Sequence, residues 1–300
     1  MDRTTATHSR SRIMMVEQHQ AFSVTPTGGA LGAVVTGVDL SASLEAELVA
    51  RLREAWLAHQ VLVFRGQSLT DGQLVALARA FGDPHAVEVC EYDRSGLLPE
   101  IDVISNIMVD GRALGALGSG EAAWHTDMSM FEYPAAATLL FGKEIPPAGG
   151  NTRFANLYAA YETLPEETKR RIEGRRSIHD IAYTAAGTVR AGFEAVEDKT
   201  QGPGAVHPVV RTHVETGRRA LFLGRQSYGY IQGLPVEESD ALLEELWTHM
   251  TKPEFVWEHA WQQGDLVMWD NRCLIHGRGS VSSGARRMLR RVTVRGEKPV

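Results

Sequence analysis

"AWHTDMSM", Ala123–Met130, sets His125 and Asp127 two residues apart. Alternate residues of an extended strand point to one face, so this stretch read as strand directs an imidazole and a carboxylate to the same side. The runs around it share that strand character. "FSVTPTG", "GAVVTGVDL", "VLVFRG", "ATLLFGKEI", "NTRFANL", "FVWEHAW", "DLVMWDN" and "RRMLRRVTVRG" are short, apolar or β-branched, and mostly bounded by turn residues. "VHPVVRTHVETGRRALFLG" reads as a hairpin turning at Glu215-Thr216-Gly217.

Helices are fewer. "SLEAELVARLREAWLAHQ" repeats Leu44, Leu48, Leu52 and Ala55 at helical spacing, with Ser43 as the expected N-cap. Thr70 and Gln73 form a capping box for "TDGQLVALARAFG". A helical pair spans Tyr158 to Arg175, and "PVEESDALLEELWTHM" begins with proline and acids. From Pro84 to Gly120 the chain reads as irregular, ending in a glycine-rich segment, Gly111–Gly120, too flexible for a core element, which reads equally as a lid or as a disordered surface loop. The expected fold is mostly β with helical additions: a jelly roll. Residues 1–20 read as a mobile polar tail, and 21–300 as a single domain.

With 300 residues and a net charge of −6, the chain has no overall basic excess for nucleic acid or an anionic membrane. No apolar run approaches a membrane span. Two cysteines, Cys90 and Cys273, exclude a disulfide scaffold and fit a cytoplasmic setting. The expected partners are a small-molecule substrate and further copies of the chain, as a dimer or tetramer.

An isolated H-x-D is most simply a polar pair on a sheet surface; a metal needs a third ligand. His276 in "LVMWDNRCLIHGRG" is the best candidate, expected just past an apolar strand, where a loop begins. Two histidines and a carboxylate suit non-heme Fe(II), and three ligands also suit catalytic zinc; spacing alone admits both. "ARRMLRR" adds Arg287 and Arg291 on one strand face. Facing a core they need anionic partners; facing water they are an ordinary basic edge strand. In "PPAGGNTRF", Gly149 and Gly150 permit a tight turn and Thr152 offers a hydroxyl, although alone this is a plain hairpin. His207 and His213 read as structural. Trp124 and Trp269 read as packing residues, with Asp270 and Asn271 supporting the strand end at His276.

Together, "GALGAVVTGVDL", "VLVFRGQSLTDGQLVALARAFG", "WHTD", "GGNTRFANLYAAYETLP", "GDLVMWDNRCLIH" and "RRMLRRVTVRG", in this order from Val24 to Gly296, resemble the taurine and 2,4-dichlorophenoxyacetate dioxygenases. That resemblance implies a double-stranded β-helix using Fe(II), 2-oxoglutarate and O2. It puts the metal ligands on His125, Asp127 and His276. It puts the grip on the distal carboxylate of 2-oxoglutarate on Thr152 and Arg287, and a contact with its inner carboxylate or the substrate's anionic group on Arg291. His85 falls where such enzymes contact substrate. Glu121 stands where the taurine branch has a sulfonate-binding asparagine, and its charge disfavours a sulfonate. The expected reaction is hydroxylation of an aryloxyalkanoate-like carboxylate, releasing succinate and CO2 with C–O cleavage. The alternatives are sulfonate or alkyl sulfate oxidation, metal-dependent hydrolysis, or non-catalytic anion binding.

Overall fold

The computed structural model describes residues 22–300 except 88, 89, 91, 185, 186, 225–227, 283 and the side chain of Leu117. The polar tail expected over 1–20 lies outside the described residues. The described chain begins with β1 (Ser23–Pro26), β2 (Ala33–Thr36), α1 (Ala46–His59), β3 (Val61–Phe64) and α2 (Asp71–Phe81). Next come β4 (Asp102–Ser105), β5 (Met108–Val109), β6 (Arg112–Ala113), β7 (Ala116–Leu117), β8 (Ala122–His125), β9 (Ala135–Glu144) and β10 (Thr152–Asn156). Helices α3 (Leu157–Glu162) and α4 (Glu166–Ile172) precede β11 (Arg176–Asp180), β12 (Gly204–Pro208), β13 (Val210–Thr212), β14 (Arg219–Leu221) and β15 (Tyr230–Ile231). The chain closes with α5 (Val236–Met250), β16 (Val256–His259), β17 (Leu266–Asp270), β18 (Leu274–Arg278) and β19 (Met288–Arg295).

Two sheets dominate. The larger has the order β1-β2-β3-β17-β9-β19-β4-β7, the smaller β16-β10-β18-β8. Strand alternation gives each sheet two apolar faces. Inward residues of both, among them Val63, Leu140, Phe154, Trp269, Leu274 and Leu289, form one cluster. The outer face of the large sheet meets α1 and α2 through Leu139, Val292, Leu52, Trp56 and Leu74. The outer face of the small sheet meets α3 and α5 through Ile275, Leu157, Leu243 and Leu246. The architecture is the expected β jelly roll with helical additions. Among the described residues, no helix is long and apolar enough to cross a membrane.

Local expectations divide. The Thr70–Gln73 capping box forms in both directions, and β13 pairs with β14 across the predicted turn, where Gly217 has φ +69°. Ser43 is not the cap of α1: the helix starts later, behind an extended Glu45, without a side-chain cap. The stretch from Pro84 to Gly120 is more ordered than its composition implied. β4 is buried throughout and pairs with β19, and β7 joins β4 in parallel. Gly115 serves close packing there, since a Cβ would lie 2.5 Å from the Val103 carbonyl oxygen.

Candidate metal centre

β18 is an interior strand of the small sheet, between β10 and β8. His276 therefore sits within a strand rather than at the start of a loop, paired with Phe154 on one side and His125 on the other. β8 ends at His125; Asp127 follows in a turn, where Met128 adopts φ +57°. The motif thus straddles a strand end. The three side chains converge, with one donor atom from each all within 4.8 Å of one another. Asp127 Oδ1 is 3.7 Å from His125 Nε2, and Oδ2 is 3.8 Å from His276 Nε2. Both distances exceed a hydrogen bond, so the atoms face a common point without bonding each other.

The protonation states suit a cation. A carbonyl can only accept, so His125 Nδ1–H donates to Ala123 O (2.7 Å), leaving Nε2 as an electron-pair donor. Burial pushes His276 down in pKa, towards the neutral ligand form. For Asp127, burial acts upward, but His276, Arg291, His125 and a hydrogen bond from Thr138 outweigh it and lower the carboxyl to about 2. Two imidazoles and one buried carboxylate are the donor set of a divalent transition metal.

Partners hold both oxygens of Asp127. Thr138 donates to Oδ2 at 2.7 Å, and Asn271 donates to Thr138 Oγ1 at 2.8 Å while accepting from Trp269 Nε1 at 3.0 Å. Asn271 therefore supports Asp127, not the His276 strand end. Arg291 Nη1 donates to Oδ1 at 3.3 Å. Sequence reading missed Thr138, whose only signal is a lone hydroxyl in the apolar run "AAATLLF".

β19 is not an edge strand; it lies between β9 and β4. Arg291 and Leu289 face the inter-sheet space. Arg290 points the other way to Asp71 at 3.3 Å, and exposed Arg286 pairs with Glu144 at 2.5 Å. Arg287, just before β19, is only 2% exposed. Among the described residues its Nε and Nη1 have no hydrogen-bond partner and no carboxylate pairs with it. Burial and nearby Arg278 lower its pKa to about 9. Gly150 makes room for it: with φ +67°, a Cβ there would lie 2.8 Å from Arg287 Nε. Thr152 is buried, and Trp261 Nε1 donates to its hydroxyl at 3.0 Å, so the Thr152 proton remains to donate elsewhere. The Arg287 guanidinium lies 5.9 Å from the centre of the same indole.

His85 is not among the converging groups. It is half-buried beside β19, its ring donating to Ala86 O and its backbone N–H to Thr293 O. Glu121 is exposed just before β8. His207 and His213 hold structure: His207 contacts Phe131 O, and buried His213 is 3.0 Å from Asp270.

The family model described as "Taurine catabolism dioxygenase TauD, TfdA family" matches residues 23–293. Over 248 residues the chain is 39% identical to an alpha-ketoglutarate-dependent 2,4-dichlorophenoxyacetate dioxygenase of Burkholderia sp. (strain RASC), spanning 79% of this chain and 82% of that one. It is 32% identical over 291 residues to an alpha-ketoglutarate-dependent sulfate ester dioxygenase of Pseudomonas putida, spanning 93% and 91%. The solved structure of AAD-2 in complex with Mn(II) and N-oxalylglycine matches with a TM-score of 0.77 at 32% identity, over 93% of this chain and 99% of that one.

Proposed function

The chain belongs to the TauD/TfdA family of Fe(II)- and 2-oxoglutarate-dependent dioxygenases, and on that premise we propose that it hydroxylates a small aryloxyalkanoate-like carboxylate. His125, Asp127 and His276 are the residues that would hold the iron. Bound Fe(II) supplies, with 2-oxoglutarate and O2, the oxidising power for C–H hydroxylation as the cosubstrate leaves as succinate and CO2. When the hydroxylated carbon carries an ether oxygen, the hemiacetal product separates into a phenol or alcohol and a carbonyl compound.

The protein's share is grip and orientation. Arg287 and Thr152 take the distal carboxylate of 2-oxoglutarate, the guanidinium through N–H groups that lack partners and the threonine through its remaining proton. A guanidinium has five N–H donors. Arg291 uses three of them on Asp102 and Asp127, leaving two for the inner carboxylate. The observation that carries this reading is the buried, unpaired Arg287 beside a converging His-Asp-His cluster, because an uncompensated buried charge is costly unless a ligand completes it.

Similarity to a phenoxyacetate enzyme supports an aryloxyalkanoate. Similarity to a sulfate ester enzyme keeps alkyl sulfates as the second reading. Protein reconstituted with Fe(II), 2-oxoglutarate and O2 is offered aryloxyalkanoates, sulfonates and sulfate esters, and succinate is measured. Succinate coupled to phenol release supports the proposal. Release coupled only to sulfite or sulfate rejects the substrate class.

A further inference from the structure

We infer that Tyr92 and Asp102 are positioning residues for the metal centre, acting on Asp127 through Arg291; the inference rests on the triad holding iron. Register makes the connection. β19 and β4 are antiparallel neighbours, with Arg291 directly opposite Asp102. The guanidinium therefore lies between two carboxylates. Its Nε and Nη2 donate to Asp102 Oδ2 at 3.1 and 2.5 Å, and its Nη1 donates to Asp127 Oδ1 at 3.3 Å. The tighter, two-pronged contact is with Asp102, not with the ligand.

Beyond Asp102 the chain of contacts continues. Tyr92 OH donates to Asp102 Oδ1 at 2.5 Å, and the phenol oxygen accepts from the Val103 backbone N–H at 2.8 Å. That backbone contact fixes the phenol, so its proton is committed to Asp102. Burial and the neighbouring Asp102 push the Tyr92 pKa up, which keeps the donor protonated.

The physical consequence concerns Asp127. Were Arg291 to face Asp127 alone, its full charge would bear on the oxygen needed for the ion, weakening that oxygen as a donor. Asp102 takes the larger part of that charge and anchors the guanidinium at a fixed distance. Arg291 on Oδ1 and Thr138 on Oδ2 then set the plane of the Asp127 carboxylate. Partners that orient a ligand commonly matter 10- to 100-fold in metal affinity.

The test is Mn(II) titration of the metal-free full chain, reading free Mn(II) by electron paramagnetic resonance and folding by thermal melting. The samples are wild type, Asp102→Asn, Tyr92→Phe and, as a control for the site, His125→Ala. Asp102→Asn should weaken Mn(II) about 10-fold. Tyr92→Phe should weaken it about threefold, with melting little changed. Unchanged affinity in Asp102→Asn, while His125→Ala loses binding, overturns the relay and leaves the metal site standing. Should Asp102→Asn fail to fold, Tyr92→Phe, which removes one hydroxyl, decides by the same criterion. Wild-type binding that survives His125→Ala overturns the metal-site reading, and the relay falls with it.

Discussion

Arg272 and Arg287 are equally deep, at 3% and 2% exposure, yet their surroundings are opposite. Arg272 lies beyond β17 and donates twice to Asp270, at 2.8 Å each, and once to Glu215 at 2.6 Å. Burial alone would lower its pKa, but the two carboxylates outweigh this and raise it. Arg287 has no such carboxylate among the described residues; burial and Arg278 lower its pKa to about 9. A guanidinium kept for structure carries its counter-charges with it. Arg287 lacks such a counter-charge among the described residues, as the proposed grip on a carboxylate ligand requires. On the proposed function, the difference separates scaffold from site within a single fold.

That contrast can be broken by substitution. Arg272→Met should leave Asp270 buried without its principal cation, a loss of about 3–5 kcal/mol, read as a melting point roughly 10 °C lower. Its KM for 2-oxoglutarate should stay unchanged. Arg287→Met should do the reverse. Melting without ligand should hold or rise, while KM for 2-oxoglutarate should increase roughly 10- to 100-fold, the loss of about 1.5–3 kcal/mol from charged hydrogen bonds. Equal melting losses in the two variants, with KM unmoved, would erase the distinction.

A pH series sharpens it. In the proposed role Arg287 grips a carboxylate only as a cation, so dicarboxylate affinity should hold below about pH 9 and fall about tenfold per pH unit above it. Stability has the opposite sign. The folded-state value lies below the ordinary 12.5, so the folded chain sheds this proton more readily than the unfolded one. The destabilisation from charged Arg287 is therefore full below about pH 9 and fades as pH rises towards 12.5. Isothermal titration with succinate across this range measures the first effect, and denaturant melts the second. The smallest expected change is Thr152→Val, about threefold in KM for 2-oxoglutarate, from one neutral donor.

Much of this was readable in the sequence because it depends on local period. Alternation in "RRMLRR" separates Arg287 and Arg291 from Arg286 and Arg290, and the strands and main helices follow from apolar spacing. β4 escaped notice because "DVIS" is short and begins with a charge, and a buried strand four residues long carries little periodic signal. Ser43 misled because a capping residue is recognisable by type, while the helix start depends on where the chain turns in from its neighbours.

Sequence alone determined that Arg287 and Arg291 share one side of an alternating run and that His125, Asp127 and His276 are ligand types in suitable segments, but not which face is buried. Tertiary structure alone decided which of these charges are paired. Arg291 meets Asp102 across 189 positions of chain, and Thr138 meets Asp127 from a strand on the opposite sheet. Local spacing sets where a side chain points; only the register between distant strands sets what waits there.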